Sequence, residues 1–421
     1  MFRDQYDNAL STHSAAAADH FHIGLDRLLA GLPEIDSAFQ AAIDADPGFA
    51  AAHAGLARAR QVIGDGAGAT AALASAAVLT DGITEREASQ IDILQLISAG
   101  QGATALRAVY AHLARFPRDA LVAQTSSSIY GLIGFSGQPG REAETLAFLS
   151  MLRPHYGADW WLQSQYAFAL CEVGRLDEAG QLIDQSLAAN PLNAHAAHVR
   201  SHISYEAGEV TEGIAFLQEW LRGYSKAGVM HGHLSWHQAL WTLQIGDLAA
   251  MWALFDEAVT PEAASGGAPL SVLVDTASLL HRAELAGVTV PTARWEAISR
   301  FAAKAFPATG NAFVDMHAAV AHAMAGESAA LAQIVTAPAG PAADLVPRLA
   351  NGFQEMARQN WAEAAVHLKS AMADTARIGG SRAQRDLVEH SLLACLMRQG
   401  RKAEAQDLVA LRRPMLKELY A

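Results

Sequence analysis

Apolar and polar positions along the chain follow the period of a helix far more than that of a strand. Segments of about 12 to 16 residues, rich in Ala, Leu, Glu and Gln, are separated by short stretches containing Gly, Asp and Pro. Runs of alternating β-branched residues are short, so strand signals are scarce. The pattern predicts an all-α chain in which one helix-turn-helix pair follows another.

A turn followed by a helix start recurs along the chain and indicates a structural repeat. The turns lie at Gly64, Gly174, Gly208, Gly246, Asn360 and Gly400. Gly208 follows Gly174 by 34 positions, the period of a tetratricopeptide helix pair. Pro47 and Pro191 come just after predicted helix ends, where that motif places its proline. Since such pairs bury their apolar faces against their neighbours, we predict a tetratricopeptide-like solenoid (an α-α superhelix) curled around an inner pocket, with about ten to twelve helix pairs.

The domain organisation follows from two loops that contain Gly and Pro, at 260–269 and 336–347. They could join two subarrays or be ordinary long turns. We expect an N-terminal array over 1–259 that carries the site and a C-terminal array over 260–421 that continues the same superhelix. A single domain over 1–421 is the alternative.

Composition narrows the class of protein. Of the 421 residues, 51% are hydrophobic and 17% charged, which excludes disorder. No apolar run approaches the ~18 residues of a membrane span, so we expect no membrane. The net charge of -13 argues against nucleic acid as a partner. Cys171 and Cys395 imply no disulfide framework, and no secretory signal is recognisable, so we predict a cytoplasmic protein.

The repeat register predicts which side chains face the concave surface, because the first helix of each tetratricopeptide pair lines it. In three consecutive repeats the inward set is Trp161, Gln165, Phe168, Glu172, His195, His198, Val199, His202, Tyr205, Glu206, His233, Trp236 and His237. His198 and His202 are four positions apart, as are His233 and His237, so each pair shares a helix face. The register thus gathers five of the 17 histidines on the inward face of two neighbouring helices.

Several kinds of chemistry fit this set. His198, His202, His233 and His237, with Glu206, resemble the ligands of zinc or another divalent ion, although no H-E-x-x-H motif or cysteine joins them. Alternatively, His202 and His237 could act as acid and base, with Glu206 or Asp315 as the orienting carboxylate. The cluster could also only bind a polar ligand, or some histidines could simply fill helix seams.

Three further segments carry candidate ligand-binding residues. Asp275 lies on a helix with Ser278 and His281, and Asp315 is followed by His317 two positions later. The string Gly379-Gly380-Ser381 precedes Arg385. The glycines end one helix and Ser381 caps the next, so this helix start and Arg385 could bind an anion or form a salt bridge inside the solenoid.

These segments together resemble a known family. They are Trp160-Trp161 through Pro191, His198 to His202, His233-Leu-Ser-Trp-His-Gln-Ala-Leu, Asp275-Thr-Ala-Ser-Leu-Leu, Phe313 to Ala318 and Gly379 to Asp386. The chain resembles the tetratricopeptide repeat protein 38 family over most of its length. It departs from the family at Leu234, usually Asn, at Arg382, usually His, and at Tyr205, where the family tends to have Glu. The resemblance implies a superhelix with an enclosed inner pocket and brings no established activity.

The sequence therefore predicts a binding protein that holds a small molecule or peptide end in a concave pocket lined by His and Trp. An enzyme that uses the same histidines and a protein–protein scaffold are the alternatives. No cofactor is required by the sequence, while a divalent metal is compatible with it. A homodimer is equally compatible.

Overall fold

The computed structural model describes residues 2–79, 81–263 and 266–412. The loop 260–269 and the end of the predicted C-terminal array fall partly outside these residues. Within the described chain, an antiparallel strand pair, Phe2–Arg3 (β1) with Ala9–Leu10 (β2), precedes 22 α-helices. The helices are α1 Ala15–Ala30, α2 Ile35–Ala45, α3 Ala50–Ile63, α4 Gly66–Ala77, α5 Glu85–Ser98, α6 Gly102–Arg115, α7 Ala120–Ser127, α8 Arg141–Tyr156, α9 Trp160–Glu172, α10 Leu176–Ala189, α11 Ala194–Ala207, α12 Val210–Trp220, α13 His231–Gln244, α14 Leu248–Leu254, α15 Pro269–Leu285, α16 Thr292–Ala305, α17 Ala312–Ala325, α18 Ser328–Thr336, α19 Val346–Ala357, α20 Trp361–Ala371, α21 Arg382–Arg398 and α22 Lys402–Arg412.

The helices pack in consecutive pairs from α1 with α2 to α21 with α22. Several first helices end at a glycine in the left-handed region, for example Gly64 at φ 83° and Gly208 at φ 75°. A glycine is favoured there because a Cβ makes this backbone conformation costly. The all-α fold and the tetratricopeptide-like solenoid predicted from the sequence are confirmed. The short strand pair at the N terminus was not predicted.

Most of the apolar packing lies in two large clusters. One large cluster of buried side chains runs from Tyr6 to Ala169 and another from Trp236 to Ala405. Helices α13 and α15 pack against each other across residue 260. The division of the chain at 260 stays a prediction. No helix among the described residues is both long and apolar enough to cross a membrane.

The superhelix closes on itself where α21 returns to its interior. Helix α21 contacts both α11 and α15. The carbonyls of Ala376 and Gly380 lie in the segment just before α21. Both accept hydrogen bonds from Arg141, at the start of α8, at 2.5 Å. Gly380 has φ 72°, and a Cβ there would overlap the ring of Phe313. Glycine is required at this closure both by conformation and by space.

Candidate functional site

Four histidines from two neighbouring first helices converge inside the superhelix. Helix α11 carries His198 and His202 one turn apart, and α13 carries His233 and His237 in the same way. One ring nitrogen of each lies within 4.8 Å of the corresponding nitrogens of the others, and all four residues are buried. We call these four residues the histidine tetrad. The structure thus brings together the two pairs that the repeat register aimed at one cavity.

His198 is the centre of the tetrad. Its Nε2 lies 2.8 Å from Nε2 of His202 and 3.0 Å from Nε2 of His233. A neutral imidazole has one N–H and one lone pair. A single Nε2 therefore cannot be the donor in one of these contacts and the acceptor in the other. Three ring nitrogens thus converge at one place, and His198 Nε2 has the same role, donor or acceptor, towards both of its neighbours.

A carboxylate from the next first helix orients the tetrad. Nδ1 of His233 donates to Asp275 of α15, at 2.8 and 2.9 Å from the two carboxylate oxygens. This bond places the lone pair of His233 on Nε2, towards His198. Trp236 stacks on the His233 ring, with centroids 5.2 Å apart and planes 14° apart. Asp275 therefore fixes the tautomer of His233, and Asp275 and Trp236 together fix the position of its ring.

Three nitrogens of the tetrad have no hydrogen-bond partner among the described residues. They are both ring nitrogens of His237 and Nδ1 of His202. A buried polar group without a partner costs about 1–3 kcal/mol. This part of the interior is therefore less stable than a packed apolar core would be.

Burial keeps three rings of the tetrad, those of His198, His202 and His237, uncharged. It lowers the pKa of His202 to about 3 and the pKa of His198 and His237 well below their usual value. The neighbouring imidazoles act in the same direction, because each would repel a second positive charge. Near pH 7 these rings are neutral and their lone pairs are available to a ligand.

A cavity of about 410 Å³ borders the tetrad at His198 and His233. This is within the usual size range of small-molecule sites. Six of the predicted ligand-binding residues line it: Trp161, Gln165, Phe168, His195, His198 and His233. Tyr130 and Phe135 add aromatic surface, and α3 adds polar side chains. The cavity wall therefore combines an apolar body with polar groups at separate places, as ligand sites do.

Arg58 of α3 is the cationic group of this wall. Its guanidinium donates to the side-chain oxygens of Gln124, at 2.7 Å, and Gln61, at 3.2 Å. It has no carboxylate partner among the described residues. Burial lowers its pKa to about 10, so it remains charged near pH 7. An isolated positive charge thus lies against the cavity.

The repeat register also indicates Arg58, although it was not singled out from the sequence. Arg58 lies six residues before Gly64, just as His202 lies six residues before Gly208. The same register places Gln61 and Val62 on the inward face, and both line the cavity. Applying the register to the first clear repeat would have found these residues.

The predicted residues Glu172, Tyr205, Glu206 and Arg385 lie in a second buried polar region, at the start of α21. The backbone N–H of Arg382 donates to the Glu172 carboxylate at 2.9 and 3.2 Å. The guanidinium of Arg382 lies 3.6 Å from Glu206. This region closes the superhelix by joining α9 and α11 to α21.

Arg385 and Tyr205 are also engaged within this region. Arg385 donates to Glu142 of α8 and to the carbonyl of Gly380, and lies 3.9 Å from Glu172. Of the two interpretations given for Arg385, the structure contains the internal salt bridge. The Tyr205 hydroxyl donates to Asp386 at 3.1 Å. We call Arg141, Glu142, Glu172 and Arg385 the seam cluster.

The pKa of Glu172 is raised to about 7. Burial is the main cause. The carboxylates of Glu142 and Glu206 raise it further, while Arg385 lowers it. Glu172 therefore exchanges a proton near neutral pH even though a cation is close by.

Asp315 and His317 make their hydrogen bonds away from the tetrad. Asp315, at the start of α17, accepts from the backbone N–H of Gly310 at 3.1 Å, and burial raises its pKa to about 6. His317 donates through Nδ1 to the carbonyl of Phe313 at 2.7 Å. The carboxylate that contacts the tetrad is Asp275.

Ser278 and His281 do not bond to each other. His281 Nε2 contacts the Ser391 hydroxyl at 2.9 Å, and Ser278 has no hydrogen-bond partner among the described residues. Ser278 and His281 are close in sequence, but they do not form the Ser-His contact of a catalytic pair.

The fold and the site define the chain as a closed tetratricopeptide-like repeat protein with a histidine-walled inner cavity. No protein-family model matches it, so the resemblance to the tetratricopeptide repeat protein 38 family is carried by its motifs alone. Among solved structures, it is similar to the human IFIT1 dimer with m7Gppp-AAAA, at 13% identity over 86% of this chain and 85% of that chain, with a TM-score of 0.46. It is also similar to yeast Tom70, at 13% identity over 96% of this chain and 88% of that chain, with a TM-score of 0.36.

Proposed function

We propose that the protein binds a small organic anion in the 410 Å³ cavity between α3, α9, α11 and α13. The observation that carries this proposal is Arg58. Arg58 is half-buried, and a partly desolvated cation without a counter-ion is costly, so an anionic ligand would supply the missing charge. The guanidinium also matches a carboxylate or phosphate group in geometry, since it can donate two parallel hydrogen bonds.

The rest of the wall supports a ligand with an apolar body. Trp161 and Phe168 offer aromatic surface on one side, and Tyr130 and Phe135 offer it on another. Gln165 and the two tetrad histidines can accept or donate hydrogen bonds. A molecule with one anionic end, an aromatic or aliphatic middle and a second polar group would use all these surfaces.

A peptide end and a nucleic acid are two other ligand classes that must be distinguished experimentally from a small organic anion. The C-terminal carboxylate of a peptide shares the chemistry proposed for Arg58. The net charge of -13 opposes nucleic acid, but one of the similar solved structures, human IFIT1, is described with the capped RNA m7Gppp-AAAA. The expectation that nucleic acid is excluded therefore needs a direct test in the same assay.

Native mass spectrometry tests the proposal on protein purified rapidly from the cells that express it. We expect a bound organic acid or phosphate ester near one per chain, which Arg58→Met loses. Arg60→Met is the matched control, since Arg60 lies on the same helix, pairs with Asp36 at 3.5 Å and does not line the cavity. The proposal fails if wild-type protein carries no such molecule and no organic anion raises its melting temperature.

The same experiment has outcomes that favour other classes. A bound peptide or a capped oligonucleotide, lost in Arg58→Met, would replace the small molecule as the ligand. A stoichiometric protein partner that Arg58→Met still retains would support the scaffold alternative. Homodimerisation stays a prediction that the intact mass would also report.

An enzyme is the second candidate, favoured by the neutral imidazole of His198 at the cavity wall and by Asp275 behind His233. A positioned imidazole paired with a carboxylate can act as a general base. His202 and His237 were the predicted acid and base, with Glu206 or Asp315 as the orienting group. The observed hydrogen bond favours Asp275 in that place. Slow conversion of the bound molecule by wild type but not by Asp275→Asn would support catalysis, whereas unchanged ligand in both would exclude it.

A further inference from the structure

We propose that the histidine tetrad binds one divalent transition-metal ion of the zinc class. The observation is the convergence of four buried ring nitrogens within 4.8 Å of one another, together with nitrogens of His202 and His237 that have no partner among the described residues. This inference does not depend on the organic anion proposed above, because it rests on α11 and α13 rather than on Arg58.

The spacing of the nitrogens suits a tetrahedral ion. Ligand nitrogens at about 2.0–2.1 Å from zinc lie ~3.3 Å from each other in a tetrahedron. The Nε2 of His198 lies 2.8 Å from that of His202 and 3.0 Å from that of His233, and the longest separation in the tetrad is 4.8 Å. These distances bracket the required value. Shifts of about an ångström or less in the rings would equalise them.

A metal ion would give every converging nitrogen of the tetrad the same role. His198 Nε2 faces two other Nε2 atoms and must act in one role, donor or acceptor, towards both. An ion at the centre would accept a lone pair from each ring. The second nitrogen of each ring would then carry the proton and face outward, as Nδ1 of His233 already does towards Asp275.

The charge environment is also suitable. Asp275 supplies a negative charge directly behind His233, the arrangement that commonly orients a metal-binding histidine and raises its basicity. Asp386 is also near enough to favour positive charge at His202. Arg282 has the opposite effect on His237. The ion would therefore have two carboxylates and one guanidinium around its ligands.

The donor set selects the metal. Four imidazoles suit zinc, cobalt, nickel or copper, while magnesium and calcium require oxygen ligands. His198 and His233 belong to both the tetrad and the cavity wall. An ion held there would face the cavity, so a polar group of a bound molecule could reach it.

Cobalt binding to untagged protein tests the proposal, because a polyhistidine tag would bind metal itself. The protein is stripped with a chelator and titrated with Co²⁺ alone, and visible absorption reports tetrahedral coordination. We expect saturation at one equivalent, reversal by excess Zn²⁺, and loss of the signal in His198→Ala. His322→Ala is the matched control, since His322 is equally buried but bonds to Ser299, and it should still bind one equivalent.

A second variant keeps the test decisive if His198→Ala does not fold. Asp275→Asn retains all four ring nitrogens and should weaken cobalt binding about 10–100-fold, with helical content unchanged by circular dichroism. Arg58→Met should bind cobalt as wild type does, even if it has lost the organic ligand. The proposal is overturned if folded wild-type protein binds no stoichiometric cobalt or zinc, or if His198→Ala and Asp275→Asn both bind cobalt as tightly as wild type.

Discussion

The histidine tetrad and the seam cluster are two buried polar regions of one interior, and they differ in how their groups are paired. In the seam cluster, Arg141 donates to the carbonyls of Ala376 and Gly380, and Arg385 donates to the Glu142 carboxylate and to the carbonyl of Gly380. In the tetrad, two rings compete for His198, and His237 has no partner among the described residues.

This difference separates a structural role from a binding role. Charges that are fully paired with groups of the same chain stabilise the closure of the superhelix and have little capacity left for a ligand. Convergent lone pairs without partners cost stability in the ligand-free protein and gain their partners only when something binds. The seam cluster therefore stabilises the closed fold, and the tetrad provides groups that can bind a ligand.

The largest expected effect is a loss of stability caused by a substitution in the seam cluster. Arg385→Met removes one partner of a largely buried ion-pair network. Glu142 keeps Arg141, at 3.5 Å, as a cation, whereas Glu172 loses the guanidinium that lies 3.9 Å from it. We expect a loss of about 3–5 kcal/mol in the free energy of unfolding, measured by urea denaturation. Arg175→Met is the control, because its ion pair with Glu178 is exposed and should contribute nothing measurable. Equal effects of the two variants would show that the closure is not held by the seam cluster.

The next effect is a pH dependence of stability that comes from Glu172 in the seam cluster. Glu172 has a usual pKa of 4.5 and a folded pKa of about 7, so between these values the folded protein holds a proton that the unfolded chain has lost. Its contribution to stability is complete below pH 4.5 and is lost as the pH rises through 7.

The measurement compares wild type with Glu172→Gln from pH 4.5 to 8. Relative to the variant, wild type should lose on the order of 3 kcal/mol across this range. Parallel curves for the two proteins would mean that Glu172 does not change its proton affinity on folding.

The smallest expected effect is an increase in stability, and it comes from a substitution in the tetrad. His237→Leu replaces a buried ring with unsatisfied nitrogens by an apolar side chain of similar reach. We expect the metal-free variant to be about 1–3 kcal/mol more stable than metal-free wild type in urea. Cobalt binding should weaken in the same variant. Destabilisation instead would mean that the His237 ring serves packing, and the contrast with the seam would disappear.

The sequence could predict the helical repeat and the inward face of α11 and α13, because both depend on local spacing. His198, His202, His233 and His237 share faces of consecutive first helices, and a fixed register carries them into one cavity. The same rule covers Arg58, which lies at the equivalent place before Gly64.

Contacts between distant repeats lay beyond that rule. The hydrogen bond from Arg385 to Glu142 spans 243 positions, and that from Tyr205 to Asp386 spans 181 positions. Such pairs depend on how far the superhelix turns before it closes, and that turn is the sum of small rotations between repeats. For this reason the sequence allowed Arg385 either to bind an anion or to form an internal salt bridge, and the salt bridge was seen only in the structure.

The most direct test of the contrast between the two regions is an anomalous-scattering map from crystals grown with zinc, measured at the zinc absorption edge. We predict one strong peak between the ring nitrogens of His198, His202, His233 and His237, and none at the seam cluster. A map with no peak at an intact, well-ordered tetrad would contradict it.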